Sequence, residues 1–101
     1  MKTIWKFYLP FKQGGDYVSM PVGAKVLSVG NDPQGQLCAW AEVDSDALKE
    51  QRFFVVIATG KEIPRYDAKF YVPRVDLKFY GTVLCPPFVW HVYGAEQDEK
   101  D

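Results

Sequence analysis

The side chains able to make and break bonds in this chain of 101 residues are few and scattered. His91 is the single histidine, so a two-histidine metal site cannot form. With Cys38 and Cys85 it would give at most three soft ligands, with no fourth at a recognisable spacing. A cysteine–histidine nucleophile needs a thiol whose pKa a neighbouring cation or helix terminus has lowered, and neither cysteine stands in such a context. Glu42 and Asp44 share one face of a β-type run and are of the type that does acid–base work; they also read as a solvated rim. Glycine loops for phosphate, zinc-protease helices and serine-nucleophile elbows do not occur. The expectation is a protein that is not an enzyme and has no cofactor and no metal, with His91 satisfied on a strand surface.

Binding chemistry is denser. From Thr59 to Lys78 the chain interleaves Lys61, Arg65, Lys69, Arg74 and Lys78 with Tyr66, Phe70 and Tyr71, and Phe79 and Tyr80 follow. The basic residues outnumber the acids Glu62, Asp67 and Asp76. Arginine forks match phosphate oxygens, aromatic rings offer faces for bases, and the N–H groups around Thr59 and Gly60 could form an anion nest. Trp40, with Glu42 and Asp44 on its face, is the tryptophan best placed to stack on a ligand, although core packing is the default for Trp5, Trp40 and Trp90 alike. The candidate ligand-binding residues are therefore Thr59, Gly60, Lys61, Arg65, Tyr66, Lys69, Arg74 and Trp40. The plainer reading of the same stretch is an edge strand guarded by charge and by Pro73.

Charge limits the ligand class. The formal net charge is −1, but Glu96, Asp98, Glu99 and Asp101 crowd the last residues against Lys100 alone. Residues 1–94 then carry a formal charge of +2, which permits a small anion and is too weak for a protein that tracks duplex nucleic acid. Residues 95–101 read as an acidic disordered tail and residues 1–94 as a single β domain. Lys2 and Lys6 interrupt any apolar run at the start, as in a chain without a signal peptide, and no apolar stretch is long enough for a membrane helix. Two widely spaced cysteines suit free thiols in a reducing cytoplasm, while a disulfide between neighbouring strands stays open.

These groups must be positioned by strands. Thr3 to Leu9 alternates, with Trp5, Phe7 and Leu9 on one face and Ile4, Lys6 and Tyr8 on the other. Tyr17 to Met20 is a short strand before Pro21. Asn31 to Gly35 is the strongest turn signal, which predicts a hairpin between residues 24–30 and 36–44. In its second strand Leu37, Ala39, Ala41 and Val43 face one way, small enough to let another layer approach. Residues 45–51 suit one turn of helix capped by Ser45 or Asp46. Phe53 to Ala58 is apolar on both faces, as expected of a central strand covered on both sides or buried by a partner subunit. Residues 36–44 and 51–60 thus appear as a central pair. Phe79 to Leu84 and Phe88 to Tyr93 are two last strands around the corner from Cys85 to Pro87. The predicted fold is mainly β: a small antiparallel sheet, sandwich or partly open barrel of about 6–8 strands with at most one short helix.

Ile4 to Phe7, Met20 to Val29, Gln36 to Asp44, Thr59-Gly60, Tyr80 to Thr82 and Phe88 to Val92 together resemble a family of small phage-encoded proteins of long-unknown function. The match runs in order over nearly the whole chain to Tyr93. Tyr8 departs from a proline common in that family, and the segment from Lys61 to Phe79 is longer and more aromatic, which puts the identity of any shared ligand in doubt. As a class, such proteins are similar to the nucleotide sponges with which phages counter CBASS immunity. That likeness implies a homo-oligomer in the host cytoplasm that binds and sequesters a cyclic nucleotide. A small protein-interaction module acting through an aromatic surface is the alternative, and a nucleotide hydrolase is a distant third.

Overall fold

The computed structural model describes residues 1–63 and 77–95. Among the described residues, seven antiparallel strands form two sheets. β1 (Lys2–Tyr8), β3 (Lys25–Asn31) and β4 (Leu37–Asp44) make sheet A, in the order β1-β4-β3. β2 (Asp16–Pro21), β5 (Lys49–Ala58), β6 (Leu77–Cys85) and β7 (Phe88–Ala95) make sheet B, in the order β2-β5-β7-β6. Among the described residues the sheets stack as an open sandwich, with no closed barrel and no helix.

Alternation explains which side of each sheet faces inward. Leu37, Ala39, Ala41 and Val43 of β4 meet Met20, Phe54, Val83 and Val92 of sheet B in one buried cluster. Ala39 and Ala41 are fully buried, and their small side chains leave room for Phe54, the largest fully buried residue. Burying such a ring is worth roughly 1.5–3 kcal/mol. The expected hairpin is present: β3 runs against β4 with Asn31 opposite Leu37, and a bulge lies between Val26 and Ser28. Its turn is tied by Asp32, whose Oδ1 accepts the N–H of Gln34 at 2.9 Å and of Gln36 at 2.8 Å.

Two expectations are corrected. Residues 36–44 and 51–60 do not pair; β4 is the inner strand of sheet A, and β5 is an inner strand of sheet B. The helical turn expected at residues 45–51 is also not formed. Ala47 N–H closes a tight turn on the Asp44 carbonyl at 3.0 Å, Asp46 N–H donates to Asp44 Oδ1 at 3.0 Å, and β5 has begun by Lys49. The chain needs this short link to step from one sheet to the other, and Asp44 answers the N–H groups that a helix cap would have served.

β5 is covered on both faces, as its lack of alternation implies. Phe54 enters the main cluster, while Phe53, Val55 and Ile57 gather with Ala95, Leu77 and Tyr93 on the outer side of sheet B. Cys38 and Cys85 are free thiols. Cys38 is fully enclosed, and burial pushes its thiol above the ordinary range, with the nearby Asp32 carboxylate adding to the effect.

Candidate functional site

β5 outruns its neighbour. β2 pairs with it only from Pro21 opposite Lys49 to Asp16 opposite Phe54, whereas β5 continues to Ala58. Glycine explains where β2 stops. Gly14 and Gly15 both have positive φ, and Gly15 N–H turns back to the Lys12 carbonyl at 2.9 Å. A Cβ on Gly15 would strike the Phe53 ring and come within 2.7 Å of the Phe54 carbonyl oxygen, so only glycine lets the chain pass this close and peel away.

That departure leaves backbone groups facing outward. Thr59 N–H donates to the Val89 carbonyl at 3.3 Å, so Thr59, Ile57 and Val55 direct their ladder groups toward β7, and Phe54, Val56 and Ala58 direct theirs toward β2. Asp16 lies opposite Phe54, and Lys61 N–H takes the Ala58 carbonyl at 3.0 Å. The N–H and C=O of Val56 and the N–H of Ala58 face no paired strand among the described residues. They border a concavity of about 650 Å³ lined by Val55 to Ala58, Gln13, Gly14, Lys61, Glu62 and Trp90, a volume in the range of small-molecule sites.

Aromatic rings extend one wall. Trp90 packs edge-on to Phe11 at 5.2 Å between centroids and stacks on Phe88 at 5.3 Å. Phe11 is 60% and Phe88 54% exposed, a large apolar presentation for a loop and a hairpin end.

On the outer side of sheet B, the same end carries a polar row. His91 Nε2 lies 2.7 Å from Thr59 Oγ and its Nδ1 2.9 Å from Thr82 Oγ. One ring proton serves both contacts, because the protonated nitrogen donates to its hydroxyl and the other accepts. The sequence expectation of a satisfied surface histidine describes this arrangement. Among the described residues, no three His, Cys, Asp or Glu side chains gather as metal ligands.

The predicted site residues are thereby divided. Thr59, Gly60 and Lys61 stand together at the end of β5, with Gly60 at φ +91° making the turn that brings Lys61 back onto Ala58. Trp40 is not with them. It lies on the outer face of sheet A, over Gly30, whose added Cβ would lie 3.3 Å from its ring, and it is opposite Lys6 and Ser28. Arg65, Tyr66, Lys69 and Arg74 lie outside the described residues. Trp90, Gln13 and Gly14 were missed. The glycine pair at Gly14-Gly15 is the legible signal for the opening, while Trp90, which reads as core, packs against the core cluster and also lines the hollow.

Glu42 and Asp44 are held in ion pairs. Lys2 Nζ approaches Glu42 at 3.8 Å, and the Met1 ammonium approaches Asp44 at 3.2 Å. The Asp46 N–H, followed by that ammonium, holds the Asp44 carboxyl below its ordinary range.

A family model described as a domain of unknown function, DUF7352, matches residues 1–101, and the chain belongs to that family. No curated protein and no solved structure matches the chain.

Proposed function

We propose that this protein is a non-enzymatic binding protein that sequesters a cyclic nucleotide in the concavity at the end of β5. The observation that carries the reading is that Lys61 and Trp90 line one hollow of about 650 Å³. A base stacks on the Trp90 wall, a phosphate meets the Lys61 ammonium, and the outward N–H groups of Val56 and Ala58 supply donors that a nucleobase carbonyl or phosphate oxygen accepts. Trp90 takes the stacking role that the sequence alone gave to Tyr66 or Trp40. Arg65, Lys69 and Arg74 follow Lys61 in the chain and add to the reading through their charge alone. The resemblance to phage proteins supplies the setting: sequestration of a CBASS-type messenger in the host cytoplasm. Isothermal titration with cyclic di- and trinucleotides tests it, and no binding at 100 μM, roughly 5.5 kcal/mol of affinity, rules it out.

A second reading draws on the exposed rings of Phe11 and Phe88 beside the open edge of β5. A protein-interaction module would use those rings as anchors and the edge for strand addition. A stoichiometric protein partner that stays bound after nucleotides are removed distinguishes this reading from the first.

A further inference from the structure

β1 is an outer strand of sheet A. Odd-numbered residues close its ladder to β4 at both ends: Ser45 N–H donates to the Met1 carbonyl at 2.9 Å, and Leu9 N–H to the Leu37 carbonyl at 3.2 Å. Hydrogen-bonding residues alternate along an antiparallel strand, so Lys2, Ile4, Lys6 and Tyr8 turn their N–H and C=O groups outward. Among the described residues no strand takes them up. Seven residues without proline and without a bulge make a regular template for a further strand.

Lysines usually protect such an edge. Here both are drawn back over their own sheet. Lys2 Nζ lies 3.8 Å from Glu42, and Lys6 Nζ lies 3.0 Å from Asp32 and 4.8 Å above the Tyr8 ring. Their charge is therefore partly neutralised where an incoming strand would meet it.

We propose that a second copy of this chain docks on this edge, with β1 running antiparallel to the partner's β1 about a two-fold axis through Trp5. Charge selects the register. Only registers that set even residues opposite even residues join outward-facing groups. Centring on Ile4 would place Lys2 opposite the partner's Lys6, and centring on Lys6 would place it opposite the partner's Lys6. Like charges directly opposite are unfavourable. Centring on Trp5 places Lys2 opposite the partner's Tyr8 and Ile4 opposite the partner's Lys6, sets no lysine directly opposite another and engages the whole strand. The hollow of about 410 Å³ lined by Lys2, Thr3, Ile4 and Glu42 then receives the partner's Tyr8, which brings its ring beside the Lys2 ammonium. The same contact is made twice, as a closed two-fold interface requires.

Sedimentation equilibrium of the full chain tests this arrangement. The expected species is a dimer of two 11.5 kDa chains. Ile4→Pro removes an outward N–H and leaves the bonds to β4 in place, so it yields a folded monomer. Tyr8→Lys sets lysines opposite one another and weakens the dimer about tenfold at low salt, with recovery at high salt. A chain that stays monomeric at roughly 100 μM, or a dimer indifferent to both variants, overturns the proposal. Where Ile4→Pro fails to fold, the salt dependence of Tyr8→Lys decides alone.

Discussion

The surroundings of Trp40 and the far end of β5 both combine an indole with nearby charge, yet one is closed and the other open. Around Trp40, the Lys6 ammonium is bound to Asp32, Asp32 holds two turn N–H groups, and the thiol of Cys38 is sealed from solvent. At the end of β5, Lys61 and Trp90 border a hollow into which the strand presents backbone groups that no strand among the described residues takes up. Residue types alone make Trp40 the more attractive ligand contact. What separates the two is how far neighbouring strands extend: β4 is flanked along its length by β1 and β3, while β5 loses β2 beyond Phe54.

The contrast rests most heavily on Gly15, which permits β2 to leave. Gly15→Ala forces a Cβ against the Phe53 ring and the Phe54 carbonyl at a positive φ. It should cost about 2–4 kcal/mol of stability, overpacking and backbone strain adding together. Urea unfolding measures the loss, and a shift below about 1 kcal/mol would mean that the close approach is not required.

Paired tryptophan substitutions sharpen the same comparison. Trp90→Leu removes the flat wall of the hollow and should weaken nucleotide binding about tenfold or more, since a stacked base is worth ~1–3 kcal/mol. Trp40→Leu should leave the affinity unchanged. Titration of both variants checks this, and the reverse ranking would return the site to sheet A.

The closed region has its own signature in acid. The Gln36 N–H first, with the Lys6 ammonium and the Gln34 N–H, holds the Asp32 carboxyl below its ordinary value of 3.8. A carboxyl with a depressed folded pKa binds fewer protons folded than unfolded, so its contribution is complete above that ordinary value and is lost as pH falls through the folded one. Asp32→Asn should lower the melting temperature at neutral pH and show a shallower loss below about pH 4. Thermal melts of both proteins across that range read the difference.

How much of this was legible follows from which interactions are local. Alternation in Thr3 to Leu9 and Leu37 to Val43 marked the core faces correctly, because a strand's two sides are fixed by its own period. The turn at Asn31 to Gly35 was equally local. Sheet membership was not: adjacency in the chain suggested that β4 and β5 pair, and nothing within either strand records that the tight turn at Asp44 sends the chain to the other layer. The divided site has the same origin. Thr59, Gly60 and Lys61 are neighbours in sequence and remain so in space, but Trp90 joins them only through the pairing of Ala58 with Trp90 across β5 and β7. The opening itself depends on the difference in length between β2 and β5, which only the assembled sheet defines.

The most direct test of the site at the end of β5 is calorimetric titration of a cyclic dinucleotide series into the wild-type chain and into Lys61→Ala. Saturable binding should appear in the wild type and weaken about tenfold in the variant, as loss of one charge-assisted phosphate contact implies, with the melting temperature unchanged. No binding at 100 μM, roughly 5.5 kcal/mol, or equal binding by both proteins, would contradict the account.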